Sequence, residues 1–308
     1  MSESKHPIAS LSGDVTIAVA AHGNAEATQA CLQAIFASAT GDYELILVDD
    51  CSADENATLN VFLEAQRTHC NTIIFQSQDL NLEYSGSVDA VLSHSSGKYI
   101  FFVSNDIIVT PYYLSVLLEA VASNPRVGVA RGSSNFVDNG LESHNLKPIN
   151  TIENMENVFD EGRDVYSLFG NLAAVDEYLT GDAFIVSREL IDAIGTYDPF
   201  FYGYFADHDY GLRAQLAGFE TLLLPGAYAY HMAQANLNYL ENEQREAKLR
   251  RRWLRVIENW ARFKIKYNLP VEMEYTTLKA VPWEKLRQEP FNKARHYSTA
   301  KDYSAFRL

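Results

Sequence analysis

A run of apolar residues passes directly into small polar ones in the segment KYIFFVSND, residues 98–106. Residues 98–103 have the length and composition of a β-strand that is covered on both faces. Ser104-Asn105-Asp106 then places a carboxylate just beyond the strand. Pro111 follows at a position where a helix can begin, because its missing N–H group costs nothing there. The segment therefore predicts a buried strand, a polar strand end and a helix in succession.

Shorter strands and helices alternate before this segment. The pattern predicts strands at 15–21, 44–48 and 72–75, and helices at 25–38, 56–66 and 88–93. Such alternation is typical of an α/β domain with a mostly parallel central sheet and helices on both faces. Parallel strands end at one edge of the sheet, and ligands bind in the crevice there. His22, Asp50 and Asp106 each follow a strand, so we expect all three at that edge.

The second half of the chain is less regular. Residues 132–175 are polar and predict loops with a strand or two. A strand at 180–186, helices at 188–194 and 209–217, and a strand from 221 towards His231 follow, with Gly218 as a helix stop. A long helix at 239–267 and a weakly patterned tail at 277–308 complete the chain. These patterns predict one large domain over 14–235, divided at 110/111, and an extension over 236–308.

Composition and charge limit the classes of protein to consider. The 308 residues are 47% hydrophobic and carry a net charge of −15, which predicts a large core and disfavours nucleic-acid binding. The three cysteines lack metal-ligand spacing, residues 1–13 lack the apolar core of a signal peptide, and the apolar runs are strand-sized. We therefore expect a cytoplasmic protein.

The carboxylates after the strands each allow two interpretations. Asp106 could bind a hard cation, which needs only one or two protein carboxylates when it bridges substrate phosphates, or it could cap the helix at Pro111. Asp49 or Asp50 could bind the base or ribose of a nucleotide, or could prepare the next helix. Neither GxGxxG nor GxxxxGK[ST] occurs, which argues against dehydrogenases and P-loop proteins.

Residues 181–231 contain the densest set of motifs. Gly181-Asp182 comes first, FADHD (205–209) begins a helix beneath aromatic residues, and PGAYAYH (225–231) ends at a histidine. The helix dipole stabilises a carboxylate at such a place, and Asp207 or Asp209 could accept a proton from a hydroxyl nucleophile. Helix capping and an ordinary edge histidine are the alternatives.

The order and spacing of these pieces resemble the inverting glycosyltransferase family 2, whose members have the GT-A nucleotide-diphospho-sugar transferase fold. The resemblance covers residues 15–231 and is most specific at VDDCS (48–52), SNDIIVTP (104–111) and 181–231. The middle piece is most similar to the subgroup with an Asn-Asn-Asp motif, which includes rhamnosyltransferases of bacterial polysaccharide assembly. The resemblance implies a nucleotide-binding half (14–110), an acceptor half (111–235) and a helical C-terminal extension (236–308).

The resemblance also implies a role for each matching residue. Asp50 would contact the nucleotide base of a nucleotide diphosphate sugar, with Ala20, His22, Asn81 and Asn105 completing the donor site. Asp106 and His231 would hold Mn²⁺ or Mg²⁺ on the diphosphate. Asp207 would be the catalytic base. The residues implied in positioning donor and acceptor are Gly181, Asp182, His208 and Asp209.

Three residues depart from the family pattern. Ala206 replaces the usual Glu before the catalytic Asp, Glu83 stands where Gly is common, and Asp89 where Asn is common. Ala206 leaves open an alternative class, a weak or inactive nucleotide-sugar-binding or scaffold protein. A nucleotidyltransferase would need a Gly- and Arg-rich loop after the first strand, and AAHGN (20–24) is not one.

The basic segment 248–266 has two interpretations. An apolar seam is formed by Leu249, Trp253, Ile257, Trp260 and Phe263, with arginines around it. We expect this helix to pack its Trp face on the catalytic domain. The alternative is an interfacial helix that holds a lipid-linked acceptor at the inner face of a membrane, or one that binds a phosphate-bearing or polyanionic acceptor. The tail beyond residue 277 could order over the acceptor or in a homo-oligomer.

Overall fold

A computed structural model describes residues 9–137, 144–232, 242–298 and 301–308. The elements up to the site are β1 (Ala9–Leu11), β2 (Val15–Ala21), α1 (Ala25–Ser38), β3 (Ala39–Gly41), β4 (Glu44–Asp50), α2 (Ala57–Thr68), β5 (Thr72–Ser77), α3 (Glu83–His94) and β6 (Tyr99–Ser104). The strands predicted at 15–21, 44–48, 72–75 and 98–103 are confirmed. Their unbroken apolar runs fit a sheet that is covered on both faces.

The remaining elements follow in a less regular order. They are β7 (Ile107–Val109), α4 (Pro111–Ser123), β8 (Val127–Ser134), α5 (Met155–Phe169), β9 (Ala174–Val175), β10 (Ala183–Ser187), α6 (Arg188–Ile194), α7 (Ala206–Leu216), β11 (Glu220–His231), α8 (Asn242–Lys266), α9 (Trp283–Leu286) and α10 (Lys293–His296). Single 3₁₀ turns lie at Leu278–Ala280 and Ser304–Phe306.

Nine of the described strands form one large sheet in the order β5-β4-β2-β6-β10-β8-β11-β7, with β9 paired to β11. Strands β5, β4, β2 and β6 are parallel, so the ends of β2, β4 and β6 lie side by side. Strand β10 enters antiparallel to β6, with Ala183 opposite Val103. The start of β10 therefore lies beside the end of β6, which brings residues 181–182 to the edge where Asp50 and Asp106 lie. A separate parallel pair joins β1 to β3.

Helices cover both faces of the sheet. Side chains of β2, β4 and β6 point alternately into two apolar clusters, one with α1, α2 and α4 and the other with α3, α6, α7 and α8. This is the α/β arrangement that the chain order predicts, with a helical C-terminal extension. No helix within the described residues is long and apolar enough to cross a membrane.

The loops predicted over 132–175 are wrong at α5. This 15-residue helix buries Val158, Gly162 and Val165 in a stripe that recurs every three or four residues. Acidic side chains on its other face lower the average hydropathy of the segment. Its composition alone therefore does not reveal the apolar stripe. Two predicted helix starts are late, since α3 begins at Glu83 and α7 at Ala206.

The C-terminal extension is folded onto the domain. The second half of α8 buries Trp260, Phe263 and Tyr267 against the helix side of the sheet, as the packing interpretation predicts. The prediction of one apolar seam is wrong for Trp253 and Ile257, which are exposed. The boundary predicted at 235/236 lies outside the described residues.

Candidate active site

A cavity of about 750 Å³ opens at the carboxyl edge of the parallel strands. Its inner wall comes from the end of β6 and the start of β10, and its floor from the start of α7. Its outer wall comes from α8 and the segment after it. The lining residues are Glu83, Tyr84, Ser104, Thr180, Gly181, Asp182, Gly203, Tyr204, Phe205, Asp207, His208, Leu249, Arg252, Trp253, Val256, Tyr275 and Leu278.

The predicted nucleotide side of the site is organised around Asp50. This carboxylate is 4% exposed and accepts the backbone N–H of Leu82 at 2.5 Å. The His22 ring donates from Nδ1 to the backbone carbonyl of Asp50 at 2.5 Å. Burial raises the pKa of Asp50 to about 6, although the bonds from Leu82 and Ser87 and the charge of His22 lower it. The fold thus keeps at the strand end a carboxylate whose burial destabilises its charged form.

The residues predicted to complete the nucleotide-sugar site around Asp50 form hydrogen bonds with the backbone of the neighbouring loops. Asn81 accepts the N–H of Glu83 at 2.7 Å, and Ala20 accepts the N–H of Asn105 at 3.1 Å. The Asn105 amide donates to the carbonyl of Gly23 and to the hydroxyl of Thr28. These contacts hold the loops after β2 and β6 together, so Asn105 shapes the site through its side chain.

Asp106 and His231 meet at the other side of the edge. Strand β11 pairs with β7 so that His231 lies opposite Ile107, and His231 Nε2 is 3.2 Å from Asp106 Oδ2. The His231 Nδ1 donates to the carbonyl of Phe136 at 3.0 Å and is 3.9 Å from Asp182 Oδ2. Burial lowers the pKa of His231, but the hydrogen bond and charge of Asp106, helped by Asp182, raise it above its ordinary value overall.

The donor atoms of Asp106 and His231 fit a divalent cation that shares its coordination with a substrate. One carboxylate and one imidazole, 3.2 Å apart, offer the oxygen and nitrogen ligands that first-row divalent metals accept. The described residues contain no group of three or more His, Cys, Asp or Glu side chains able to hold a metal. Diphosphate oxygens and water would therefore have to supply the remaining ligands, as they do at many Mg²⁺ sites.

Asp207 faces the cavity from the first turn of α7. Its Oδ2 accepts the N–H of Gly181 at 3.2 Å, and its Oδ1 accepts the N–H of His208 at 2.9 Å. These two backbone donors fix the direction of the carboxylate at the start of the helix. The His208 ring donates to the carbonyl of Leu179 at 2.8 Å, so it ties α7 to the loop before β10.

Gly181 is held in place by Tyr84. The hydroxyl of the half-buried Tyr84 donates to the carbonyl of Gly181, and a side chain at position 181 would collide with that hydroxyl. Burial, followed by the charge of Asp207, raises the pKa of Tyr84 well above its ordinary value. Tyr84 therefore remains a neutral hydrogen-bond donor, and it holds the backbone of Gly181 where its N–H group can bind Asp207.

Two predicted positions are fully buried in the protein core. Asp209 is fully buried and bonds Arg213, Lys266 and Tyr267, so we do not include it among the residues that position donor or acceptor. Ala206 is also fully buried in the helix-side core and does not line the cavity. In this fold the side chain that replaces the family's Glu points into the protein interior.

Reading of the sequence missed Arg131 and the partner of Glu83. Arg131 is 1% exposed and pairs with Asp182 at 3.1 Å, and it also donates to the carbonyl of Thr180. A single arginine inside the apolar run VGVARG was the available signal. Glu83 has φ 59°, the left-handed conformation that glycine favours, and its carboxylate lies 3.3 Å from Arg255 of α8. The left-handed backbone at position 83 thus explains why Gly is common there in the family.

Comparison with solved structures identifies the fold. A mannosyltransferase, PcManGT from Pyrobaculum calidifontis in complex with GDP-Man and Mn²⁺, aligns with a TM-score of 0.51 at 16% identity, over 71% of this chain and 56% of that one. GalNAc-T7 with UDP, GalNAc and Mn²⁺ aligns with a TM-score of 0.54 at 11% identity, over 70% and 43%. The chain spans about half the length of these structures. The fold is that of the GT-A glycosyltransferases.

Comparison of sequences identifies the family. Residues 16–189, more than half of the chain, match the family described as glycosyl transferase family 2. The protein belongs to this family, as the resemblance in its motifs predicts. A search of curated proteins finds no match. The match ends before α7 and α8, so the cavity combines family elements with walls that lie beyond the matched region.

Proposed function

We propose that the protein is a metal-dependent, inverting glycosyltransferase of glycan or polysaccharide assembly. It would move a hexosyl or deoxyhexosyl group from a nucleotide diphosphate sugar to a hydroxyl of a saccharide or lipid-linked acceptor. The similarity to the Asn-Asn-Asp subgroup, through Asn105 and Asp106, favours an acceptor in bacterial polysaccharide. A homo-oligomer and the cytoplasmic location stay predictions.

One observation carries this proposal. The adjacent residues Gly181 and Asp182 connect the two halves of the site, because Gly181 N–H binds Asp207 while Asp182 faces His231. The group suited to accept a proton lines the cavity, and the groups suited to hold a diphosphate lie beside it, next to Asp182. The two solved structures above were determined with a nucleotide or nucleotide sugar and Mn²⁺, which supports the same ligands here.

The arrangement supports a single displacement at the anomeric carbon. Asp207, oriented by two backbone donors, accepts the proton of the acceptor hydroxyl as its oxygen attacks. A divalent cation held by Asp106 and His231 would offset the charge of the departing nucleoside diphosphate. A single displacement needs no carboxylate as nucleophile, and the Asp182 carboxylate is paired with Arg131 at 3.1 Å.

The buried position of Ala206 favours an enzyme over a non-catalytic scaffold protein. Replacement of a cavity-lining Glu would remove a substrate contact, whereas Ala206 contacts the core and leaves the cavity wall intact. Asp207 keeps both of its backbone hydrogen bonds beside it. The departure at position 206 therefore does not dismantle the proposed base.

Two variants test the proposal by separating turnover from binding. A thermal-shift screen of nucleotide diphosphate sugars with Mn²⁺ first selects a donor that raises the melting temperature. We expect Asp207→Asn to bind that donor normally and to lower release of the nucleoside diphosphate by about 100-fold or more, because the proton acceptor is lost. Asp106→Ala should lose the Mn²⁺-dependent part of nucleotide binding in calorimetry.

Asp192→Asn serves as the control, since Asp192 is exposed on α6, outside the cavity. This variant should match the unsubstituted protein in both assays. Equal loss of binding and turnover in Asp207→Asn would contradict the base assignment. Nucleotide binding that responds to Mn²⁺ equally with and without the Asp106 carboxylate would contradict the metal assignment.

A further inference from the structure

Helix α8 has a second apolar face that contacts nothing in the described protein core. The buried face carries Trp260 and Phe263, 3% and 0% exposed. The opposite face carries large apolar side chains that are 42–70% exposed; these are Leu254, Ile257 and Ile265. We call this set, together with the exposed Ala261, the outer stripe.

The outer stripe has regular helical spacing. Leu254, Ile257, Ala261 and Ile265 follow one another at intervals of three or four residues, and so lie along one side of the helix. The outward side of a helix that packs on a domain is normally polar. A row of large exposed apolar side chains instead marks a surface that binds something.

The charge around the stripe indicates what it binds. Between Asn242 and Lys266 the sequence has nine Lys or Arg and three Asp or Glu, although the whole chain has 25 basic and 40 acidic residues. Arg250 and Arg251 are exposed next to the stripe. Of these basic residues, Lys266 is buried, and Arg255 and Arg262 pair with Glu258, whereas Arg250 and Arg251 place positive charge beside the outer stripe.

We propose that the outer stripe of α8 docks on the surface of an anionic lipid bilayer. An amphipathic helix with aliphatic residues on one face and Lys or Arg beside them lies in the membrane interface, held by apolar burial and by attraction to anionic headgroups. The apolar residues would enter the headgroup region, and Arg250 and Arg251 would lie at the level of the phosphates.

A second copy of the chain fits this surface less well. A two-fold interface would place the same stripe on both sides, and two helices of strong positive charge would repel each other there. A nucleic acid would use the arginines, but it would leave the aliphatic row exposed. The bilayer alone matches both the charge and the apolar residues.

The stripe is continuous with the mouth of the cavity. Leu249 and Trp253 line the cavity and stand on the same helix as the outer stripe. Docking would therefore place the cavity opening next to the lipid surface. A lipid-linked acceptor could then reach Asp207 without leaving the bilayer, and only this last point rests on the proposed function.

Vesicle flotation of the full chain tests the docking. Vesicles of phosphatidylcholine with about 30% phosphatidylglycerol should carry the protein, and vesicles of phosphatidylcholine alone should carry much less. Trp emission gives a second readout, because Trp260 and Trp283 are buried and Trp253 is 55% exposed. A blue shift on binding would come from Trp253 and should disappear in Trp253→Phe, while flotation persists.

Substitutions on the stripe separate docking from folding. Leu254→Ser/Ile257→Ser should weaken binding to anionic vesicles by more than about ten-fold. Arg250→Gln/Arg251→Gln should weaken it about five-fold for each charge removed. The matched control is Leu168→Ser/Leu172→Ser, which changes two exposed leucines remote from α8 and should bind vesicles normally. All variants should keep the melting temperature of the parent and its response to nucleotide.

Three results would overturn the proposal. The parent protein could fail to float with anionic vesicles, or the Leu254→Ser/Ile257→Ser variant could float as well as the parent. Light scattering could also show a dimer that this variant alone dissociates, which would assign the stripe to a second copy. Because flotation needs no sugar donor, a negative result for transferase activity would leave the docking result unaffected.

Discussion

Asp50 shows how a single residue can favour ligand binding at a cost in stability. A carboxylate that is 4% exposed loses most of its hydration on folding, and burial raises its pKa from 3.8 to about 6. Between these values the folded state binds a proton that the unfolded state has released. The contribution of Asp50 to stability therefore falls as the pH rises from about 4 to about 6, by roughly 3 kcal/mol.

Asp50→Asn should reverse this balance. The amide keeps an acceptor for Leu82 N–H without a buried charge, so at pH 7.5 we expect the free energy of unfolding to rise by about 1–3 kcal/mol. Nucleotide affinity should fall about ten-fold, because a charged acceptor is lost. Urea unfolding at pH 4 and 7.5, with calorimetry, measures both effects.

The control for this experiment is Asp42→Asn, which removes an exposed carboxylate. Its unfolding free energy should stay within about 0.5 kcal/mol of the parent at both pH values. An Asp50→Asn protein that is less stable at pH 7.5, or that binds nucleotide as tightly as before, would show that Asp50 is a structural residue.

At the scale of elements, α7 and α8 are joined by a buried ionic network. Lys266 Nζ lies 2.6 Å from both Asp198 and Asp209, and Asp209 also accepts from Arg213 and Tyr267. Burial raises the pKa of Asp198, but the charge and hydrogen bond of Lys266 lower it below its ordinary value overall. The network fixes the helix that carries Asp207 against the helix that walls the cavity.

Lys266→Met should therefore destabilise the protein. We expect a loss of about 3–5 kcal/mol in unfolding free energy at pH 7, because two buried carboxylates lose a cation. The stability that Asp198 contributes is present above its unfolded pKa of 3.8 and is lost as pH falls through its lower folded value. The difference between variant and parent should accordingly shrink in acid.

Denaturant unfolding of Lys279→Met gives the comparison, since Lys279 is exposed in the segment after α8. That change should cost no more than about 0.5 kcal/mol. If both methionine variants unfold at the same denaturant concentration, the ionic network does not hold α8 in place.

At the scale of the whole molecule, the C-terminal residues close the edge of the sheet. Leu308 N–H donates to the carbonyl of Ile74, and Arg307 bridges Phe75 of β5. Tyr303 is 2% exposed and donates to Asp89 at 2.8 Å, across 214 residues of sequence. An edge strand with unpaired backbone groups can pair with other chains, and the tail covers this one.

Tyr303→Phe should lower the unfolding free energy by about 1–3 kcal/mol, because the buried Asp89 loses a hydrogen-bond donor. Leu308→Ala is the matched change, since that side chain is 61% exposed and its backbone bond is kept. Thermal unfolding compares the two. Equal melting temperatures for the two variants would mean that the tail does not stabilise the domain through Asp89.

Local patterns in the sequence determined the strands β2, β4 and β6, the polar residues at their ends and the motifs around Asp207 and His231. Each depends on a short apolar run or on neighbouring residues, so it can be read without knowing the fold. The carboxyl ends of parallel strands share one edge, and Asp50 and Asp106 could therefore be placed together in advance.

Only the tertiary structure decided which sides of these elements are covered. Arg131 pairs with Asp182, Asp209 is buried beneath α8, the outer stripe faces away from the core, and Tyr303 bonds Asp89. Each of these outcomes depends on groups that are distant in sequence. Periodicity shows that a helix has an apolar face, but only packing shows which face is covered and by what.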